Sequence, residues 1–255
     1  MGPHLLDVND LTVDFGGVRA IDGVSFTVAP GEFVGLIGPN GAGKTTTIDA
    51  ITGFVAHRGR VHFAGTDITH FSPHKRAAIG LTRTWQSLEL FEDLTIRENC
   101  SVAVDRSGFG TLALDVVRPI RRHEHEGVER ALELLGIGQL ADKRPSELSL
   151  GQRKLAAVAR ALAASPSMIL LDEPAAGLDS NESMELGRHL REVVREGVTL
   201  LLVDHDMGLV LGVCSRLLVL DFGRLIASGP PSEIRNDTRV IEAYLGEYAK
   251  RSGYS

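Results

Sequence analysis

Phe33-Val34-Gly35-Leu36-Ile37-Gly38-Pro39-Asn40-Gly41-Ala42-Gly43-Lys44-Thr45 is the stretch whose reading decides the fold. Its first five residues form a short, continuously apolar run, the pattern of a strand buried on both faces. Gly38 to Thr45 then completes the motif G-x-x-x-x-G-K-[ST]. Thr45 to Thr52 reads as the helix that follows. Strand, glycine-rich loop and helix in that order are the context the motif requires, and a chance glycine-rich turn lacks it. Glycines let backbone N–H groups approach phosphate oxygens, and the start of a helix adds a favourable dipole. Lys44 is placed to reach the terminal phosphates, and the Thr45 hydroxyl to ligate Mg²⁺.

Upstream, residues 5–13 and 24–28 alternate apolar and polar positions, as half-buried strands do. Residues 60–69 read as a strand pair turning at Gly65. From Ser72 to about Gly138 charged helical patterns dominate, among them His123 to Leu135 with Leu132 and Leu135 on one face. Continuous apolar strands return at 168–172 and 198–204. A last hairpin turns at Asp221-Phe222-Gly223, and Pro230-Pro231 precedes a short helical tail, Ser232 to Tyr248.

Two further segments carry chemistry. Asp172 ends an apolar strand and Glu173 follows it. An acid at the carboxyl end of a strand suits a metal-coordinating role beside a phosphate loop. Glu173 is then placed to orient or deprotonate a water. Leu148-Ser149-Leu150-Gly151-Gln152 precedes a helical run from Arg153 to Ala164. Ser149 fits an N-cap, and a capped helix start with an adjacent glycine is itself an anion site. Alone such a segment is an ordinary helix cap; its place about twenty residues before the acidic strand gives it a second meaning.

The composition bounds the rest. The 255 residues are 43% hydrophobic and 24% charged, which suits one α/β domain with a smaller appended part. A net charge of −6 argues against a nucleic-acid surface. Cys100 and Cys214 lie in apolar stretches and read as buried free thiols, not as a disulfide framework. No signal peptide and no run long enough to span a membrane is evident, so a membrane role is expected to come through a partner. His123 and His125, in a basic stretch with Arg118, Arg121 and Arg122, read as a solvated helix face.

Together these segments resemble the ATP-binding cassette ATPases over nearly the whole chain. Gly38–Thr45, with Thr46 beside it, matches that family's Walker A loop, Gln86 its Q-loop and Leu148–Gln152 its signature. Asp172-Glu173 is similar to Walker B with its catalytic glutamate, Gly177-Leu178-Asp179 to the D-loop, and His205 to the switch histidine. Phe15 stands where the family places an aromatic ring against adenine.

The resemblance implies an α/β fold with a P-loop (RecA-like) nucleotide-binding core, an antiparallel β subdomain and an inserted helical subdomain. The expected boundaries are 1–85 and 155–230 for the core, 86–154 for the helical part and 231–255 for the tail. It implies a head-to-tail dimer with ATP and Mg²⁺ at the interface. Phe15, Gly38, Pro39, Asn40, Gly41, Ala42, Gly43, Lys44, Thr45, Thr46 and Asp179 of one copy, and Ser149, Gly151 and Gln152 of the other, would hold nucleotide. Thr45, Gln86 and Asp172 would hold the metal. Glu173, His205 and Gln86 would act in hydrolysis. A monomeric kinase or GTPase has no use for Ser149–Gln152. Two departures stand out: Leu150 replaces the family's usual glycine, and Phe15 the more frequent tyrosine, which keeps the stacking face.

The finer resemblance is to the longer ATP-binding subunit of branched-chain amino acid importers. It rests on Asp172 to Leu178, His205-Asp206-Met207, the tail Val240 to Glu247 and Arg83-Thr84-Trp85-Gln86, with Trp85 where Phe is usual. It implies transmembrane permease subunits, a second cassette ATPase and, indirectly, a solute-binding protein as partners, at the cytoplasmic face of the membrane. Urea or amide importers, lipopolysaccharide exporters and a single-cassette ATPase of a soluble assembly, such as iron–sulfur cluster building, are the competing readings.

Overall fold

A computed structural model describes residues 4–84, 90–104 and 120–251, the side chains of 120–125 and 245–251 excepted. Two sheets and a helical layer stack around two apolar cores. The first sheet is antiparallel, in the order β2-β1-β4-β5, from β1 (Leu6–Phe15), β2 (Val18–Val28), β4 (Arg58–Phe63) and β5 (Thr66–Asp67). The second has six strands in the order β10-β9-β3-β8-β7-β6. Its strands are β3 (Phe33–Ile37), β6 (Leu81–Arg83), β7 (Met168–Asp172), β8 (Thr199–Val203), β9 (Arg216–Asp221) and β10 (Arg224–Gly229). β6 to β9 run parallel with β3, and β10 closes the edge antiparallel to β9.

The continuous apolar strands are buried on both faces because each face meets a different layer. Along β8, Leu200 and Leu202 join the core under the helices, while Leu201 and Val203 join the core under the antiparallel sheet. β3, β7 and β9 divide the same way. Each fully buried leucine contributes about 1.5–3 kcal/mol over its exposed state. On the antiparallel side α1 (Lys44–Thr52) packs with Ile48 and Ile51 fully buried. On the other side lie α3 (Ile96–Val104), α4 (Ile120–Leu134), α5 (Leu150–Ala163) and α6 (Ser180–Arg195). Cys100 and Cys214 are buried free thiols, pushed up to about 12 by burial.

The structure refines the sequence reading in three places. The charged stretch after Ser72 is not uniformly helical: α2 (Pro73–Ala78) is followed by β6, which pairs with β7 and belongs to the central sheet. α5 crosses residue 154 without a break, so the helical layer and the nucleotide-binding body share one rod. The tail is two helices, α8 (Pro231–Ile234) and α9 (Thr238–Arg251), separated at Asp237, whose carboxylate accepts the Arg239 N–H. α7 (Met207–Val213) starts at a similar cap, Asp206 accepting from the Leu209 N–H at 3.0 Å. Among the described residues no helix is long and apolar enough to cross a membrane. The basic stretch at Arg118 to His125 lies outside the described side chains.

Candidate functional site

The parallel strands β3, β7 and β8 all end at one edge of the central sheet, and the chemistry gathers there. β3 runs into the glycine loop, which turns into α1 at Gly43. Two glycines are dictated by geometry. Gly38 sits at φ +152, and a Cβ there would lie 2.1 Å from the Leu220 carbonyl oxygen. Gly43 sits at φ +101, and its Cβ would lie 2.5 Å from Ile21 Cδ1. The loop is thus pressed between β2 and the end of β9, and only backbone fits. The Gly223 N–H donates to the Ala42 carbonyl at 3.0 Å, pinning the loop to the last hairpin.

Lys44 is buried, and its Nζ donates to the Gly38 and Pro39 carbonyls at 2.8 and 2.9 Å. The ammonium is therefore held over the loop by the loop's own backbone. No side chain caps α1 and no acid lies in its first turn, which leaves the positive end of the helix unopposed. Thr45 is exposed at that end. Phe15 ends β1 at the tip of the hairpin whose second strand flanks the loop, and its ring is half exposed.

Asp172 ends β7, 3% exposed. Arg83 Nη2 donates to its Oδ2 at 2.6 Å, and Arg83 Nη1 donates to Asp49 on α1. Burial pushes the Asp172 carboxyl above the usual carboxylate range, and the Arg83 guanidinium pulls against that. Glu173 follows at φ +50, an uncommon conformation for a non-glycine residue and a form of strain that concentrates at working sites. Its N–H donates to the Val203 carbonyl at 2.7 Å, locking the turn to β8. His205 Nε2 lies 2.7 Å from Glu173 Oε1, so the imidazole N–H donates to the carboxylate. Asp204, buried between them in sequence, accepts the Ala175 and Asp206 N–H groups at 2.9 and 3.0 Å. Lys154 reaches from α5 to the Glu173 carbonyl at 3.4 Å. Burial lowers the affinity of that amine for its proton, against the charges of Asp204 and Glu173.

The remaining sequence candidates lie elsewhere. Ser149 caps α5 in a reciprocal box: its Oγ accepts the Gln152 N–H at 3.3 Å, and Gln152 Oε1 accepts the Ser149 N–H at 3.1 Å. Ser149, Gly151 and Gln152 line a cleft of about 220 Å³ with Leu178, Glu182 and His189, and none of the phosphate-loop residues lines it. Asp179 caps α6, accepting from the Asn181 and Glu182 N–H groups at 2.8 and 2.9 Å. Gln86 lies outside the described residues. Arg83, Asp49, Lys154 and Asp204 were not singled out as site residues from sequence; only their positions in the fold bring them to the site.

The donor set fits a Mg²⁺–nucleotide: a glycine loop leading into a helix start that no side chain caps, the buried Lys44 ammonium held over that loop, and the hard oxygens of Thr45 and Asp172, which suit Mg²⁺. A phosphate loop beside an acid, a strained glutamate and a histidine, all at the carboxyl ends of parallel strands, defines a P-loop nucleoside triphosphatase.

Within that class the chain belongs to the ABC transporter family, whose description matches residues 21–176. Residues 224–250 match a second description, branched-chain amino acid ATP-binding cassette transporter. The chain is 37% identical over 254 residues to the high-affinity branched-chain amino acid transport ATP-binding protein LivG of Escherichia coli, covering 97% of this chain and 100% of that one. BraF of Pseudomonas aeruginosa, described in the same words, is 37% identical with the same coverage. The lipopolysaccharide export ATP-binding protein LptB of Acidithiobacillus ferridurans is 37% identical over 245 residues, 96% of this chain and 98% of that one. Among solved structures, the ADP conformation of MJ1267, an ATP-binding cassette of an ABC transporter, superposes with a TM-score of 0.84 at 33% identity, covering 95% and 99% of the two chains. The chain is an ABC-type ATPase, hydrolysing ATP in the service of transport.

Proposed function

We infer that this chain powers import of branched-chain amino acids from the cytoplasmic face of a membrane, held there by permease subunits. The observation that carries the substrate is the match of the C-terminal segment, 224–250, to the branched-chain amino acid description; the shared cassette does not distinguish solutes. Its partners in this reading are two transmembrane permeases, a second cassette ATPase and, indirectly, a solute-binding protein. The helical layer α3 to α5 faces the permease.

In this reading Lys44 exchanges its loop carbonyls for the β- and γ-phosphates, and the N–H groups at the start of α1 hold the same oxygens. Phe15 stacks on adenine. Thr45 and Asp172, with Gln86 as the family resemblance implies, would hold Mg²⁺, which would offset phosphate charge. Glu173 takes a proton from the attacking water, and His205, through its hydrogen bond, fixes the orientation of that carboxylate. Ser149, Gly151 and Gln152 of a second cassette close over the γ-phosphate, with Asp179 at the seam. The cleft of Ser149–Gln152 supports this division, because none of the phosphate-loop residues lines it.

The test is capture of partners by a tagged Glu173→Gln chain from solubilised source membranes with ATP, followed by uptake assays in vesicles. The expected yield is two permeases and a second cassette, with leucine, isoleucine or valine uptake that depends on the wild-type chain. Recovery of soluble scaffold proteins alone, or of a lipopolysaccharide-binding complex, overturns the import assignment.

A further inference from the structure

We propose that Arg83 is the positioning residue of the metal site, setting Asp172 against Thr45 by bridging the phosphate-loop helix to the acidic strand. This rests on the reading of Thr45 and Asp172 as Mg²⁺ ligands.

Arg83 ends β6, and its side chain is 5% exposed. Two different nitrogens of one planar group bind two carboxylates: Nη1 takes Asp49 on α1, and Nη2 takes Asp172 Oδ2 at 2.6 Å. A guanidinium is a rigid fork, so the separation of the two acids is set by its plane. Asp49 lies four residues after Thr45 on the same helix, and positions i and i+4 share a face. Clamping Asp49 therefore fixes the turn of α1 that carries the Thr45 hydroxyl. The other end of the clamp engages Oδ2 of Asp172 and so holds the carboxylate that would face the cation.

A lysine at 83 keeps the charge but holds one acid at a time. Asp49→Asn keeps the shape and weakens the anchor on α1. The experiment is titration of purified full-length protein with a fluorescent ATP analogue, in Mg²⁺ and in EDTA, for wild type, Arg83→Lys, Asp49→Asn and Asp172→Asn. Arg83→Lys and Asp49→Asn are expected to weaken binding about tenfold in Mg²⁺, the size of one charge-assisted hydrogen bond, and less than about twofold in EDTA. Equal losses with and without Mg²⁺, or no loss in either, overturn the proposal. If Arg83→Lys fails to fold, Asp49→Asn carries the same test. If Asp172→Asn keeps the full Mg²⁺ enhancement, the metal-ligand reading itself fails. If Asp172→Asn loses the enhancement while both clamp variants keep it, only the role of Arg83 fails.

Discussion

In the proposed dimer the phosphate-loop edge and the signature end of α5 meet the same nucleotide, yet they are built in opposite ways. At the loop edge Lys44 and Asp172 are buried, and the two acids are braced by residues distant in sequence, Asp172 by Arg83 and Glu173 by His205. At the signature end Ser149 is exposed, and its hydrogen bonds stay within four residues. One half-site is a product of the core; the other is a local helix start offered on the surface. In that reading the acids that work within the chain have tertiary bracing, whereas the group offered to a second copy needs only a firm tip.

The sharpest break of that comparison is Glu173→Gln. It should lower phosphate release about 10²- to 10⁴-fold, the range for loss of a general base, while nucleotide affinity holds. Steady-state hydrolysis beside a binding titration checks it, and normal turnover would remove Glu173 from the reaction. Next is Lys44→Ala, which should weaken ATP binding by about 1.5–3 kcal/mol through loss of the cationic donor. Isothermal titration with the purified chain reads this directly.

On the surface side, Ser149→Arg placed in a Glu173→Gln background should abolish the ATP-dependent dimer on size-exclusion chromatography, yet leave ATP binding by monomers intact. Loss of the cap itself should cost about 1 kcal/mol of stability. If monomer binding vanishes too, the two regions are not separate half-sites.

The smallest effect concerns how the braced half is held together. Arg216 donates to both Glu32 oxygens, at 2.6 and 2.9 Å, tying the start of β3 to β9. Burial pushes the Glu32 carboxyl up, but the Arg216 and Ala29 hydrogen bonds outweigh it and hold the group below its usual 4.5. A depressed folded-state value means the stabilisation is full above the unfolded value and fades as pH falls through the folded one. Glu32→Gln should therefore cost about 1 kcal/mol near pH 7, and its deficit should shrink below about pH 4. Thermal melts of both proteins across that range test the sign.

How much of this was legible depended on the range of the interaction. The strand, loop and helix from Phe33 to Thr52 could be read because each residue's role is local. The same holds for the Ser149 cap, which closes over three residues. β6 escaped because a three-residue strand containing Thr82 and Arg83 has no apolar period, and its partner β7 lies far along the chain. Arg83 drew no role for the same reason, since its acids lie 34 and 89 residues away. The break at Asp237 is turn chemistry inside an otherwise helical composition.

Lys154 makes α5 more than a cap. The helix begins at the exposed serine, and five residues on, about 7.5 Å along its axis, its amine meets the carbonyl of the strained Glu173. In the proposed dimer, docking a partner on the tip and setting the base in its own site would thus be two loads on one lever. Linkage makes such traffic reciprocal: whatever factor closure adds to the affinity of the Glu173 site for its ligand, that ligand returns to closure.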